Sequence, residues 1–244
     1  MKKIKKLFAV VLCLLVMPCI VMLSGCDLFN SSKKDESKES TNPDVEVNIS
    51  IDRAWEIYTD AVTKCENNTG DKYDNVKITY THGSTVGEQI FIEIDGQGVE
   101  RKTSNTTLPG QGDVLYFINS DDNLGYIYSI QNQFCDNLGS SSDFRLEPSD
   151  LRLDSSFVKD NIFSCKVLAD GNYEISLLKQ YIDSSKTFSF AQVIISSSGQ
   201  FMHVKVSTGY SSYVDEFEGT LSYNTVLESE IISLINEAKT HIAE

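Results

Sequence analysis

The sequence predicts an α+β domain over residues 50–244: a large curved antiparallel sheet, half-barrel-like, with an N-terminal and a C-terminal helix packed on one face. Three observations predict it. Apolar residues at helical spacing open and close the segment. Between them, β-branched and aromatic residues alternate with polar ones at period two. Short turn-forming stretches join these runs into hairpins, which means antiparallel pairing. A sheet of eight or more such strands tends to curl, split or close, and the helices bury their apolar stripes against it.

The first helix rests on Ile51, Ala54, Trp55, Tyr58, Ala61, Val62 and Cys65, one face at three-four spacing. Ser50 is placed to cap it, Asp52 suits its first turn, and Gly70 follows its end. Trp55 reads as a core anchor in preference to a ligand-stacking ring. Strands are expected at 76–80 and 90–94, then from Val99 after the turn Asp95-Gly96-Gln97-Gly98. Two more, at 114–118 and 126–130, flank the turn residues 119–125. Residues 135–162 are polar with scattered apolar positions. They are expected as an irregular crossing of one end of the sheet, with short helices or turns at 149–153 and 156–163. Strands resume at 173–178, 187–195, 201–206 and 217–226. The closing helix shares one face among Leu227, Ile231, Leu234, Ile235, Ala238 and Ile242.

The segment before residue 50 reads differently. Lys2, Lys3, Lys5 and Lys6 precede an apolar stretch from Leu7 to Leu23, broken only by Pro18. That is the layout of a secretory signal, although its length is also near the lower limit of a spanning helix. Leu23-Ser24-Gly25-Cys26 resembles the lipobox of bacterial lipoproteins: an aliphatic residue, two small ones, then cysteine. Cys19 lacks the small residues before it. The resemblance implies a signal peptide over 1–25, cleavage between Gly25 and Cys26, and a diacylglyceryl group on the Cys26 sulfur. It implies a membrane partner through that anchor, and an address on the extracytoplasmic face of the cell membrane. Asp27 resembles an inner-membrane retention signal, should the bacterium have two membranes. Each buried methylene contributes about 0.8 kcal/mol, so two or three chains on one cysteine hold where one would not. Residues 27–49 are rich in Ser, Asn, Lys, Asp and Glu and are expected as a disordered tether after the lipidated cysteine, the pair spanning 26–49. Fully stretched it would reach about 80 Å, and as a coil about 25–30 Å.

Composition removes several function classes. Loss of the four lysines in residues 1–25 takes the formal charge from -14 to -18. No basic footprint for nucleic acid exists, nor one for anionic lipid. Beyond Cys26 the cysteines are Cys65, Cys135 and Cys165, an odd number with no Cys-x-x-Cys pair. This is neither a disulfide framework nor a zinc site; one bridge or free buried thiols are both open. No cofactor or metal is implied.

The element order of residues 50–244 resembles the LolA-like group, which includes the LolA and LppX/LprG lipid carriers. The resemblance implies a curved, incomplete barrel and an acyl-chain cavity. Residues that could line such a cavity are Ile90, Ile92, Val114, Tyr116, Tyr126, Tyr128, Phe188 and Phe190, although the plainer reading of the same residues is the core beneath the helices.

For catalysis the chain offers His82, His203 and His241, none paired at ligand spacing. His203 should face solvent on its strand, and His241 should lie on the polar side of the last helix. His82, in a Thr-His-Gly-Ser turn, is the best placed of the three as a general base. No Gly-x-Ser-x-Gly elbow occurs. Gly96-x-Gly98 and Gly110-x-Gly112 lack the rest of a nucleotide loop. The expectation is therefore a non-enzymatic, lipid-anchored extracytoplasmic protein that binds an apolar or lipid ligand or an envelope protein partner. The alternative is an envelope hydrolase with a site assembled from scattered residues. A carrier predicts a dry pocket; the hydrolase predicts a polar cleft bringing His82 near a serine or an acid.

Overall fold

The computed structural model describes residues 47–67, 75–105, 112–140, 144–182 and 184–242. Gly25, Cys26 and most of the expected tether lie outside the described residues. Helix α1, Ile51–Asn67, begins where Ser50 accepts a hydrogen bond from the Arg53 N–H at 3.2 Å, the expected cap. Six strands follow by hairpins: β2 Asn75–His82, β3 Thr85–Ile94, β4 Gln97–Ser104, β5 Val114–Asn119, β6 Leu124–Ser129 and β7 Phe134–Ser140. A crossing of turns then leads to β8 Ile162–Val167, β9 Tyr173–Gln180, β10 Lys186–Ile195, β11 Phe201–Tyr210 and β12 Val214–Tyr223. Helix α2, Glu228–Lys239, follows. A two-residue strand β1, Val47–Asn48, lines β8 at one edge.

Among the described residues these twelve strands make one antiparallel, open sheet in the order β1-β8-β9-β10-β11-β12-β2-β3-β4-β5-β6-β7. The fold class is the expected one, an α+β domain built on a large curved antiparallel sheet with two helices. It consists of two meanders, β2–β7 and β8–β12, joined by the pairing of β12 with β2. The Asp95-Gly96 turn has φ of 52° and 79°, the positive values that a two-residue hairpin turn requires.

Three expectations change. Residues 135–162 are not wholly irregular: β7 occupies most of the first part. Only Cys135 of that edge strand is buried, so it carries no alternation to read. The stretch 149–153 lies in a turn, one of the two forms expected, but 156–163 runs through the 3-10 turn Lys159–Asn161 into β8, a strand that was not expected. The two helices do not share a face. In β3, Phe91 pairs with Val76, and both join the core that α1 forms with Ala54, Ile57, Tyr58, Ala61 and Cys65. Ile92 and Ile94 lie on the other face and join Leu115, Phe117, Tyr126 and Tyr128 beneath Ile231 and Ala238 of α2. The cause is legible in β3, where Ile90, Phe91 and Ile92 are all buried. A strand covered on both sides loses the alternation that would assign a helix to one of them.

Two devices hold this arrangement. Asn75 clamps the link that carries the chain from β12 to the α2 face. Its carboxamide donates to Val226 O at 2.8 Å and accepts from Val226 N at 3.2 Å. On the α1 face, the crossing buries Leu146, Leu151 and Phe157. Asp154 fixes it to β9 and β10: its carboxylate accepts from Ser156 Oγ at 2.5 Å, Ser189 Oγ at 2.6 Å, Lys186 Nζ at 3.0 Å and the Tyr181 hydroxyl.

Candidate functional site

Beyond the reach of α1, the α1 face opens into a pocket of about 370 Å³. Strand register builds it. His82 pairs with Thr85, Gln89 with Lys102, and Lys102 with Val114, which places all five on one face. The turn Ser149–Arg152 of the crossing closes one side. The pocket lies at the end of the sheet opposite to Val47, where the chain enters: Val47 pairs with Val167, and β8 meets the start of β9 there.

One wall is aromatic. Tyr80 and Phe217 stack with ring centroids 5.7 Å apart, and His82 meets Phe217 edge-on at 6.4 Å. Gly87, paired with Tyr80, makes the wall possible: a Cβ there would lie 2.7 Å from the Tyr80 ring. A glycine beneath a cross-strand aromatic is a recurrent sheet device.

The opposite side is charged. Buried Glu100 accepts from Lys102 Nζ at 2.8 Å and from Gln89 Nε2 at 2.5 Å. Burial works against the Lys102 ammonium, but the hydrogen bond and charge of Glu100 leave it raised above the usual lysine value. Burial raises the Asp150 carboxyl, outweighing the hydrogen bond from the Glu147 N–H, and the Glu100 charge raises it further. At the mouth, His82 Nε2 lies 2.6 Å from Asp215 Oδ1. The Arg152 guanidinium stands 3.5 Å from His82 Nδ1 and 3.7 Å from Asp215 Oδ2. Arg152 has φ of 56°, a left-handed conformation that side-chain-bearing residues adopt at a cost.

The eight residues read as cavity candidates do not meet in one place. Val114 and Tyr116 line this pocket. Ile92, Tyr126 and Tyr128 belong to the α2 core, and Ile90 is buried on that same side of β3. Phe188 and Phe190 lie on the α2 face of β10, half-buried. Phe188 lies over Gly209, and Phe190 stands 6.2 Å from Phe163. His203 is on the outer side of its strand, 3.4 Å from Glu218. His241 is not on the polar side of α2. It lies in the turn after the helix, stacked on Tyr128 at 5.6 Å, whose hydroxyl donates to Glu237. Cys65, Cys135 and Cys165 are free thiols.

Sequence reasoning found His82 but missed Arg152, Asp215, Asp150, Gln89 and Lys102. It also found Val114 and Tyr116, as apolar candidates on an alternating strand. The missed residues come from strands and a turn that meet through long-range pairing. Among the described residues no helix is long and apolar enough to cross a membrane.

No family model matches the chain, and no curated protein matches it. A DUF1329 family protein from Desulfovibrio piger is similar at a TM-score of 0.27 and 10% identity, over 71% of this chain and 94% of that one. Likeness at that level assigns neither fold nor function.

Proposed function

We propose that the chain is a lipid-anchored extracytoplasmic binding protein, not an enzyme, which takes a ligand in the α1-face pocket. Cys26 carries the anchor, and the segment up to Val47 connects it to the domain. The observation that carries the binding reading is the convergence in one pocket of an aromatic wall, two cations and several hydrogen-bonding side chains. Mixed linings of this kind orient polar or amphipathic ligands. The dispersal of the eight apolar residues over two faces weighs against a single acyl-chain cavity, so the ligand is polar or amphipathic in preference to a bare acyl chain.

A second reading, the envelope hydrolase, draws on the His82–Asp215 contact in a polar cleft. The other imidazole nitrogen faces Arg152, which leaves the ring without a side turned to a nucleophile. A nucleophile within hydrogen-bond reach is what such chemistry needs.

The test has two arms. Metabolic labelling with a palmitate analogue should mark the wild-type chain and not Cys26→Ser. Native mass spectrometry of the purified chain should show a polar adduct that Tyr80→Ala loses. Acyl-chain adducts in its place would restore the lipid-carrier reading. Turnover of an ester or amide panel, lost in His82→Ala, would favour the hydrolase.

A further inference from the structure

We propose that the pocket takes an acidic saccharide, a sugar ring bearing a carboxylate, with Arg152 as the group that grips the carboxylate. This rests on the reading of the pocket as a binding site. The first observation is Arg152 itself. Its backbone is held at φ of 56° in the turn over the pocket. Its backbone N–H is used within the turn, at 3.0 Å from Ser149 O, while its guanidinium reaches its neighbours only at long range, 3.5 Å to His82 and 3.7 Å to Asp215. Lys102, by contrast, is engaged with Glu100 at 2.8 Å. A guanidinium presents a rigid fork of N–H donors that matches a carboxylate in two parallel hydrogen bonds. Arg152 is the pocket's cation with donors still to place.

The second observation is the wall. Tyr80 and Phe217 are locked as a stacked pair, one over Gly87 and the other buried. Half-buried Tyr80, backed by Phe217, offers an apolar ring surface suited to the C–H face of a sugar ring. The third is the lining between Arg152 and Lys102. Gln89, Asp150, Thr85 and Ser104 supply both donors and acceptors. A body rich in hydroxyls uses both kinds. An acyl chain uses neither, and a bare inorganic anion has no use for the wall. A carboxylate on a hydroxyl-bearing ring engages all three features together.

The test uses the lipidated chain in detergent micelles and calorimetric titration with an oligoglucuronate, the matched neutral oligoglucoside and sodium phosphate. The oligoglucuronate should bind, the neutral sugar roughly tenfold or more weakly, and phosphate not measurably. Arg152→Gln should bring the acidic sugar down to the neutral level, while Arg152→Lys retains part of the difference. Tyr80→Ala should weaken both sugars. Unchanged melting of Arg152→Gln separates lost binding from lost folding, and Arg152→Gly relieves the backbone strain while removing the guanidinium. Equal affinity for the two sugars, phosphate binding as well as sugar, or no effect of Arg152→Gln overturns the assignment. Melting shifts with amino acids and glycyl-glutamate separate the two levels. A shift with one of these that Tyr80→Ala abolishes, with no response to oligoglucuronate, overturns the acidic sugar and leaves the pocket a binding site. Silence toward every probe overturns both.

Discussion

Asp154 is 11% exposed at its side chain and faces four side-chain donors. Burial alone would raise its carboxyl, but the hydrogen bonds from Ser156, Ser189 and Tyr181 outweigh that and hold it far below the ordinary range. A carboxyl whose folded value is depressed stabilises the fold above its unfolded value, near pH 4, and loses that contribution as the pH falls below it. Asp154→Ala should therefore cost about 3 kcal/mol at pH 7, because buried Ser189 and the Lys186 ammonium lose their acceptor. In urea melts at pH 7, 4 and 2.5, the gap between wild type and variant should narrow as the pH falls. Gly87 gives a steric counterpart. A Cβ there would lie 2.6 Å from the Thr103 carbonyl oxygen and 2.7 Å from the Tyr80 ring. Gly87→Val should cost about 2 kcal/mol or more by overpacking and weaken any ligand bound on the Tyr80 wall. Neither residue announces itself in the sequence. Asp154 is one acid among many in a polar stretch, and its partners are spread from 156 to 189. His82 was expected in a turn, but it is the last residue of β2, two after Tyr80 on the same face, and Asp215 joins them only when β12 pairs with β2.

At the scale of elements, β3 decides where the helices go. Its odd positions point to the α1 side, where Phe91 joins the α1 core, and Ile92 and Ile94 belong to the α2 core. In α2, Ile231 is 1% exposed and Ile232 37%. Ile231→Ala should cost about 2–4 kcal/mol in chemical denaturation, and Ile232→Ala no more than about 0.5 kcal/mol. That contrast tests the orientation of the helix directly. Asn75→Ala should cost about 1–3 kcal/mol by freeing the Val226 backbone groups, with hydrogen exchange rising in α2 before it rises in α1. Elements with clear periodicity were legible: both helices, and hairpin strands such as β2, β5, β6 and β10. The edge strand β7 was not, because burial of Cys135 alone leaves no pattern. The side taken by α2 was not legible either, because β3 is apolar on both faces.

For the whole molecule, the cysteines give a plain readout. Cys65 and Cys135 are buried and Cys165 is half-buried. Burial raises the thiols of all three, with Cys135 pushed up to about 11. At pH 8 the native chain should react slowly with a disulfide reagent. In denaturant without reductant Cys65, Cys135 and Cys165 should all react, since none of them is bridged. The pocket itself is legible only at this scale. Its residues come from five strands and one turn, and no window of sequence holds more than a fragment of it. The same assembly sets a timetable. The meander β2–β7 emerges first from any machinery that delivers the chain from its N-terminus, yet its inner edge pairs with β12, where Tyr223 meets Val76. Helix α1, which precedes the whole of that meander, packs against β8 and β10. Until the second half arrives, the first half must therefore wait with an open strand edge and an uncovered apolar face, a state prone to aggregate. Folding is completed only when the last strand arrives, so a chain of this design needs protection in proportion to how slowly its second half follows the first.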